Sequence, residues 1–166
     1  MPIVDNLTSE AGPEAVLTGA IREAMSTLNG LEVVNSESEA RFVLQGHVKE
    51  WGRRLGTPSP LATQEEENRG GLIRNQTSVA DIKVFLTADF ELFEKIPSDN
   101  AQIPVRRSLW KRQFRAESNY EAYNRFDELA GSSSAPHINR SRERLQLGKM
   151  SDSMALQIID QVSQDF

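Results

Sequence analysis

The stretch Asp81 to Glu94, DIKVFLTADFELFE, places Ile82, Val84, Leu86, Ala88, Phe90 and Leu92 on alternate positions. An apolar period of two sustained this far predicts a long β-strand with one buried face. The opposite face carries Lys83, Phe85, Thr87, Asp89, Glu91 and Phe93, a mixture suited to a surface half solvated or covered only when a partner arrives. A strand of this length needs neighbouring strands and a layer of helix over its apolar side. The rest of the chain must supply them.

The supply can be followed in order. Pro2 to Asn6 reads as a short strand and Leu7 to Gly12 as the turn after it. Pro13 suits the first position of a helix, where its missing N–H costs nothing, and Glu14 complements the positive end of the helix dipole. Val16, Leu17, Ala20, Ile21, Ala24, Met25 and Leu28 form an apolar stripe at helical spacing, and Gly30 is a left-handed stop, so the helix is expected from Pro13 to about Asn29. Leu31 to Val34 reads as a second strand. A third runs from Arg41 to about Trp51, with Phe42, Leu44, Gly46 and Val48 inward and Val43, Gln45, His47, Lys49 and Trp51 on the other face.

Gly52 to Ser78, with Pro58, Pro60 and Gly70-Gly71, reads as a long loop joining the third strand to the central one. Lys95 to Val105 marks a further hairpin connection. The returning strand is Arg107 to Ser118, with Trp110, Phe114 and Ala116 toward the core and Lys111, Gln113 and Arg115 on the open face. Asn119 to Asn139 reads as a second long loop, and Leu147, Met150, Met154, Ile158, Val162 and Phe166 give the last segment its helical stripe. The expectation is a single α+β domain over residues 1–166. It is a two-layer sandwich with two helices on one face of a four- to five-stranded mixed sheet that contains a long antiparallel meander.

Composition narrows the function classes. With 166 residues, one core can bury roughly 70% of the surface the unfolded chain exposes. The net charge of −5 argues against a nucleic-acid binder that works through a broad basic face. Cysteine is absent and His47 and His137 are the two histidines, which excludes disulfides and thiolate zinc sites and disfavours a histidine metal site. No cofactor motif appears: Gly70-Gly71 lacks the Lys-[ST] of a phosphate loop, and Glu65 to Glu67 lack the ligand spacing of a calcium loop. Ser132 to Ser134 and His137 lie in loop sequence with no nucleophile elbow, so the chain is not expected to be an enzyme. MPIVDN has no basic segment followed by an apolar one, and Ile3 and Val4 already look like strand, the pattern of a precursor trimmed to its folded part.

One local feature departs from the acidic average. Ala101 to Ala116 contains Arg106, Arg107, Lys111, Arg112 and Arg115 and no acid. Guanidinium and ammonium groups gathered on one strand can bind phosphate, the guanidinium in bidentate fashion. They can equally pair across strands with Asp89 and Glu91 on the open face.

The order of elements and several patterns resemble the LptE family of lipopolysaccharide-assembly lipoproteins. IVDNLTSEAGPEAVLTGAI is similar to that family's first strand, turn and helix, and LEVVNSESEARFVLQGHV to its next strands. RNQTSVADIKVFLTADFELFE is similar to its long central strand with the preceding turn, LWKRQFRAES to the strand after it, and MALQIIDQVSQDF to its closing helix. The resemblance implies a non-enzymatic protein held at the periplasmic face of a Gram-negative outer membrane by a lipidated cysteine upstream. It implies partners too: an LptD-like β-barrel whose lumen it plugs, and lipopolysaccharide, bound during transport to the cell surface. On that basis Arg74, Arg106, Arg107, Lys111, Arg115 and Arg140 are candidate lipopolysaccharide contacts, with Arg125 an alternative to Arg140. Trp51, Phe85 and Phe93 are candidate partner contacts. A looser resemblance to other periplasmic envelope modules, the TolB N-terminal domain and the CsgG-like family, implies a protein-protein adaptor instead.

Overall fold

The computed structural model describes residues 3–28, 30–34, 36–59, 77–96, 105–125 and 135–164. The elements in chain order are β1 (Ile3–Asn6), α1 (Pro13–Ser26), β2 (Phe42–Ser59), β3 (Thr77–Ile96), β4 (Val105–Arg125) and α2 (Ala135–Ser163). The four strands form one mixed sheet in the order β1-β2-β3-β4, in which β1 runs parallel to β2 and the remaining pairs are antiparallel. The architecture is therefore the expected α+β arrangement, with four strands and a meander of three consecutive long ones.

The parallel pair obliges the chain to cross over, and α1 makes the crossing. It starts where the sequence places it: Pro13 is the first helical residue, and Gly12 takes φ 123, a conformation costly to a residue with a Cβ. The Gly12 carbonyl accepts from the N–H groups of Ala15 and Val16, both at 3.2 Å. The turn before it is held by Asn6. Its Oδ1 accepts from the Thr8 N–H at 2.8 Å, while its Nδ2 donates to the Glu14 carboxylate at 2.7 Å. Helix α1 ends at Ser26 with Thr27 as its cap, earlier than the stripe suggests, so Gly30, which takes φ 95, lies three residues beyond the cap and is not the helix stop.

Three boundaries differ from the sequence expectation. Leu31 to Val34 is not a strand but irregular chain leading to β2. Its β propensity is high, yet propensity becomes structure only where a neighbour offers a ladder, and β1 already lies beside β2. Conversely, β2 continues past Trp51 to Ser59 and β3 begins at Thr77, which converts both ends of the expected long loop into hairpin arms. Strand β4 also runs on to Arg125 and α2 starts at Ala135, so the expected loop from Asn119 to Asn139 is strand at one end and helix at the other. In each case pairing or packing with a distant segment overrides turn-like composition.

By contact density the chain divides into two compact units, residues 1–52, 85–117 and 147–166, and residues 53–84 and 118–146. In the first unit the core lies on the even-numbered side of the sheet. Leu44, Gly46 and Val48 of β2, Leu86, Ala88, Phe90 and Leu92 of β3 and Phe114 of β4 are buried there. Leu17, Ala20 and Ile21 come from α1, and Met150, Met154, Ala155, Ile158 and Val162 from α2. Each fully buried aliphatic or aromatic side chain contributes about 1.5–3 kcal/mol. Phe90 occupies the centre: its ring lies over Gly46, where a Cβ would collide with it, and meets Phe114 edge-on at 5.9 Å between centroids. Trp110 continues the aromatic row at 6.4 Å from Phe114, but it is half-buried rather than in the core, because β4 is the last strand of the sheet. In the second unit Val84, Tyr120 and Ala122 are buried.

Candidate functional site

Met25 of α1 and Val162 of α2 line one cavity together with Phe42 and Leu44 of β2 and Leu92 of β3. Both helices therefore cover the even-numbered face, and among the described residues no helix covers the odd-numbered face of the first unit. That free face and the strand at its edge carry most of the candidate residues.

The cross-strand pairs fix its geometry. Lys111 Nζ stands 3.7 Å from Glu91, and Gln113 Nε2 donates to Asp89 Oδ1 at 3.0 Å, which sets the register of β4 on β3. Asp89 is shared with Lys49 of β2 at 3.5 Å, and His47 Nδ1 lies 3.6 Å from Asp5 of β1. Opposite charges thus pair across β2, β3 and β4, the arrangement that favours neighbouring side chains on a sheet. At the end of β3 the Glu94 carboxylate is gripped by two guanidiniums, Arg41 at 3.2 Å and Arg107 at 2.6 Å. Arg106 pairs with Glu37 and Arg115 with Glu117.

Arg106, Arg107, Lys111 and Arg115 accordingly all lie on β4, exposed, and each already has an acidic partner within the molecule. Arg112 on the same strand is exposed and has no partner among the described residues. Exposed pairs of this kind contribute only about 0–1 kcal/mol each. The cations are engaged but not committed.

Phe85 and Phe93 lie on the helix-free face, both half-buried. Eight residues of strand, roughly 27 Å, separate them, so they do not form one patch. Phe85 packs over Gly52, where a Cβ would come within 2.9 Å of its ring. That contact joins an odd position of β3 to an even one of β2, whereas Phe90 and Gly46 are both even, so the pairing slips by one residue between Lys49 and Gly52. A slip of this kind is a β-bulge. Trp51, half-buried, stands at the slip, and the alternation that puts it with His47 and Lys49 does not carry through that point.

Arg140 belongs to the second unit. It is exposed on α2 and lines a depression with Arg53, Leu55, Ile82, Tyr120, Asn139 and Glu143. Arg53 donates to the Glu143 carboxylate at 3.1 Å. Burial, reinforced by the Glu143 carboxylate and opposed by Arg53, raises the Tyr120 phenol above its ordinary 10.0. Arg74, Glu65 to Glu67, Gly70-Gly71 and Ser132 to Ser134 lie outside the described residues, and so do the side chains of Arg125 and His137. Among the described residues no cluster of His, Asp and Glu could hold a metal ion, and no helix is long and apolar enough to cross a membrane.

Sequence reasoning missed Glu37, Arg41 and Glu94, which tie the end of the sheet together. Glu37 and Arg106 are far apart in the chain, and no local pattern announces such a pair. It also missed the cavity, because its roof, Leu31 to Val34, was assigned to the sheet.

No protein-family model matches the chain, and no curated protein does. Solved structures are similar over most of their length, three of them as follows. A candidate lipoprotein of Caulobacter crescentus is 14% identical, with a TM-score of 0.47 over 93% of this chain and 83% of that one. A minor lipoprotein of Acinetobacter baumannii is 15% identical, with a TM-score of 0.43 over 99% and 90%. A hypothetical protein of Chlamydia trachomatis is 11% identical, with a TM-score of 0.49 over 96% and 91%. Likeness at this level assigns no function to the chain.

Proposed function

We propose that the chain is a non-enzymatic, LptE-like adaptor at the periplasmic face of a Gram-negative outer membrane, anchored by a lipidated cysteine upstream. Its helix-free sheet face and the adjoining strand β4 contact the interior of an LptD-like barrel, and the cations of β4 bind lipopolysaccharide phosphates. The observation that carries this is the segregation of charge: a protein of net charge −5 presents five cations and no acid between Arg106 and Arg115, exposed on the edge strand of its sheet. The ion pairs that hold four of them are weak enough for a polyanion to replace. A dense row of phosphates would gain several charge-assisted contacts at once, Arg112 among them.

The test replaces Arg74, Lys111 and Arg115 together by serine and titrates wild type and variant with lipopolysaccharide at low and high salt. At an unchanged melting temperature, affinity is expected to fall at least tenfold and the wild-type binding to weaken steeply with salt. Unaltered affinity, or binding indifferent to salt, would reduce the cations to partners of Asp89, Glu91 and Glu94.

A further inference from the structure

The cavity on the helix-covered side plays no part in that function. It holds about 360 Å³ and is lined by Met25, Leu31, Val33, Val34, Phe42, Leu44, Leu92 and Val162, with Glu32, Glu39 and Arg41 among its polar neighbours. Leu31, Val33, Val34, Met25 and Phe42 are only half-buried, so an aliphatic surface remains uncovered beneath a segment that belongs to neither helix nor sheet. We infer that this cavity binds one acyl chain of a membrane lipid.

Three features select that occupant. The first is size: an apolar cavity of about 150 Å³ accommodates benzene, so this volume suits on the order of a dozen carbon atoms. The second is the lining, which is aliphatic except for Phe42, with Met25 able to adapt to an irregular chain. Of the polar groups, Arg41 is drawn to Glu94 and stacks over the Phe42 ring at 5.0 Å, while Glu32 and Glu39 oppose its charge. The polar lining holds two acids and one cation that is already paired with Glu94, so no group is left for an anionic headgroup and recognition falls to the chain.

The third feature is position. Ile3 pairs with Gln45 in parallel register, so β1 begins one residue along β2 from Leu44, which lines the cavity. The anchor of the functional reading would hold the start of β1 toward the bilayer. The proposal rests on that reading for the source of the lipid, while the site rests on the cavity itself.

Dodecanoate and dodecanol, each kept below its solubility or micelle limit, serve as probes for calorimetry and for methyl NMR of the whole chain. The expected result is saturable binding of one probe per chain, at least as tight for dodecanol as for dodecanoate and, for dodecanol, unaffected by salt, with shifts concentrated at Leu31, Val33, Val34 and Val162. Val33→Trp fills the space from the irregular segment and should weaken binding at least tenfold without moving the melting temperature. Val34→Phe is the second filling variant should the first not fold. Equal affinity in the filled variants, shifts at β4 instead of the cavity, or no saturable binding would overturn the proposal. Salt-insensitive binding that survives the triple serine change would separate this site from the cation strand, so each can fail alone.

Discussion

The two faces of β3 between Phe85 and Glu94 share one backbone and differ in almost everything else. On the even side Leu86, Ala88, Phe90 and Leu92 are at most 2% exposed under two helices. On the odd side Phe85, Asp89, Glu91 and Phe93 are half-buried with no helix above them. Opposite charges paired across β2, β3 and β4 hold that side together, where the first is held by exclusion of water. The contrast teaches that one alternating pattern can write two kinds of surface, one that stabilises the fold and one whose contacts are cheap to exchange.

Phe90→Ala should produce the largest loss, about 3–5 kcal/mol in chemical denaturation, because it opens a cavity between Gly46 and Phe114 that the sheet cannot close. Trp110→Ala should cost roughly 2 kcal/mol in the same assay, less than a core tryptophan, since its ring is half in solvent and its Nε1 is buried without a partner among the described residues. A loss as large as that of Phe90→Ala would place Trp110 in the core after all. Gly46→Ala should destabilise by about 1–3 kcal/mol through collision with the Phe90 ring. Adding Phe90→Leu should recover part of that loss, a coupling a double-mutant cycle would read.

Thr87 is the exception on the odd side. It is 5% exposed, flanked along its strand by the larger Phe85 and Asp89, and its Oγ1 is buried with no hydrogen-bond partner among the described residues. Thr87→Val keeps the shape and removes the orphaned hydroxyl, so thermal melting should show a gain of about 1 kcal/mol. A loss would mean that the hydroxyl is satisfied in solution. The smallest effect belongs to Lys111→Ala, under about 0.5 kcal/mol and diminished further by salt. A loss above 1 kcal/mol would make the charge row structural and argue against its exchange for a ligand.

The even face of β3 from Val84 to Leu92 was legible in the sequence down to single residues, as were the start of α1 at Pro13 and the stripe of α2 from Leu147 to Val162. Each depends on a local period or cap, and locality is what a single sequence exposes. Ile82 is only half-buried, and Phe166 lies outside the described residues. The candidate site was legible only as a list of cations on one strand. Which acids meet them, how far Phe85 stands from Phe93, and where the slip at Trp51 falls all depend on the register between strands.

What the sequence by itself determined is the α+β class, the long central strand and the side of it that is buried, because alternation and helical spacing leave an apolar surface one way to escape water. What only the tertiary structure decided is which segments become strand at all. Gly52 to Ser59 pairs despite its glycines and proline, while Leu31 to Val34 stays irregular despite its β-branched residues. A strand exists only when another strand satisfies its backbone N–H and C=O groups, and that neighbour is chosen by the whole fold.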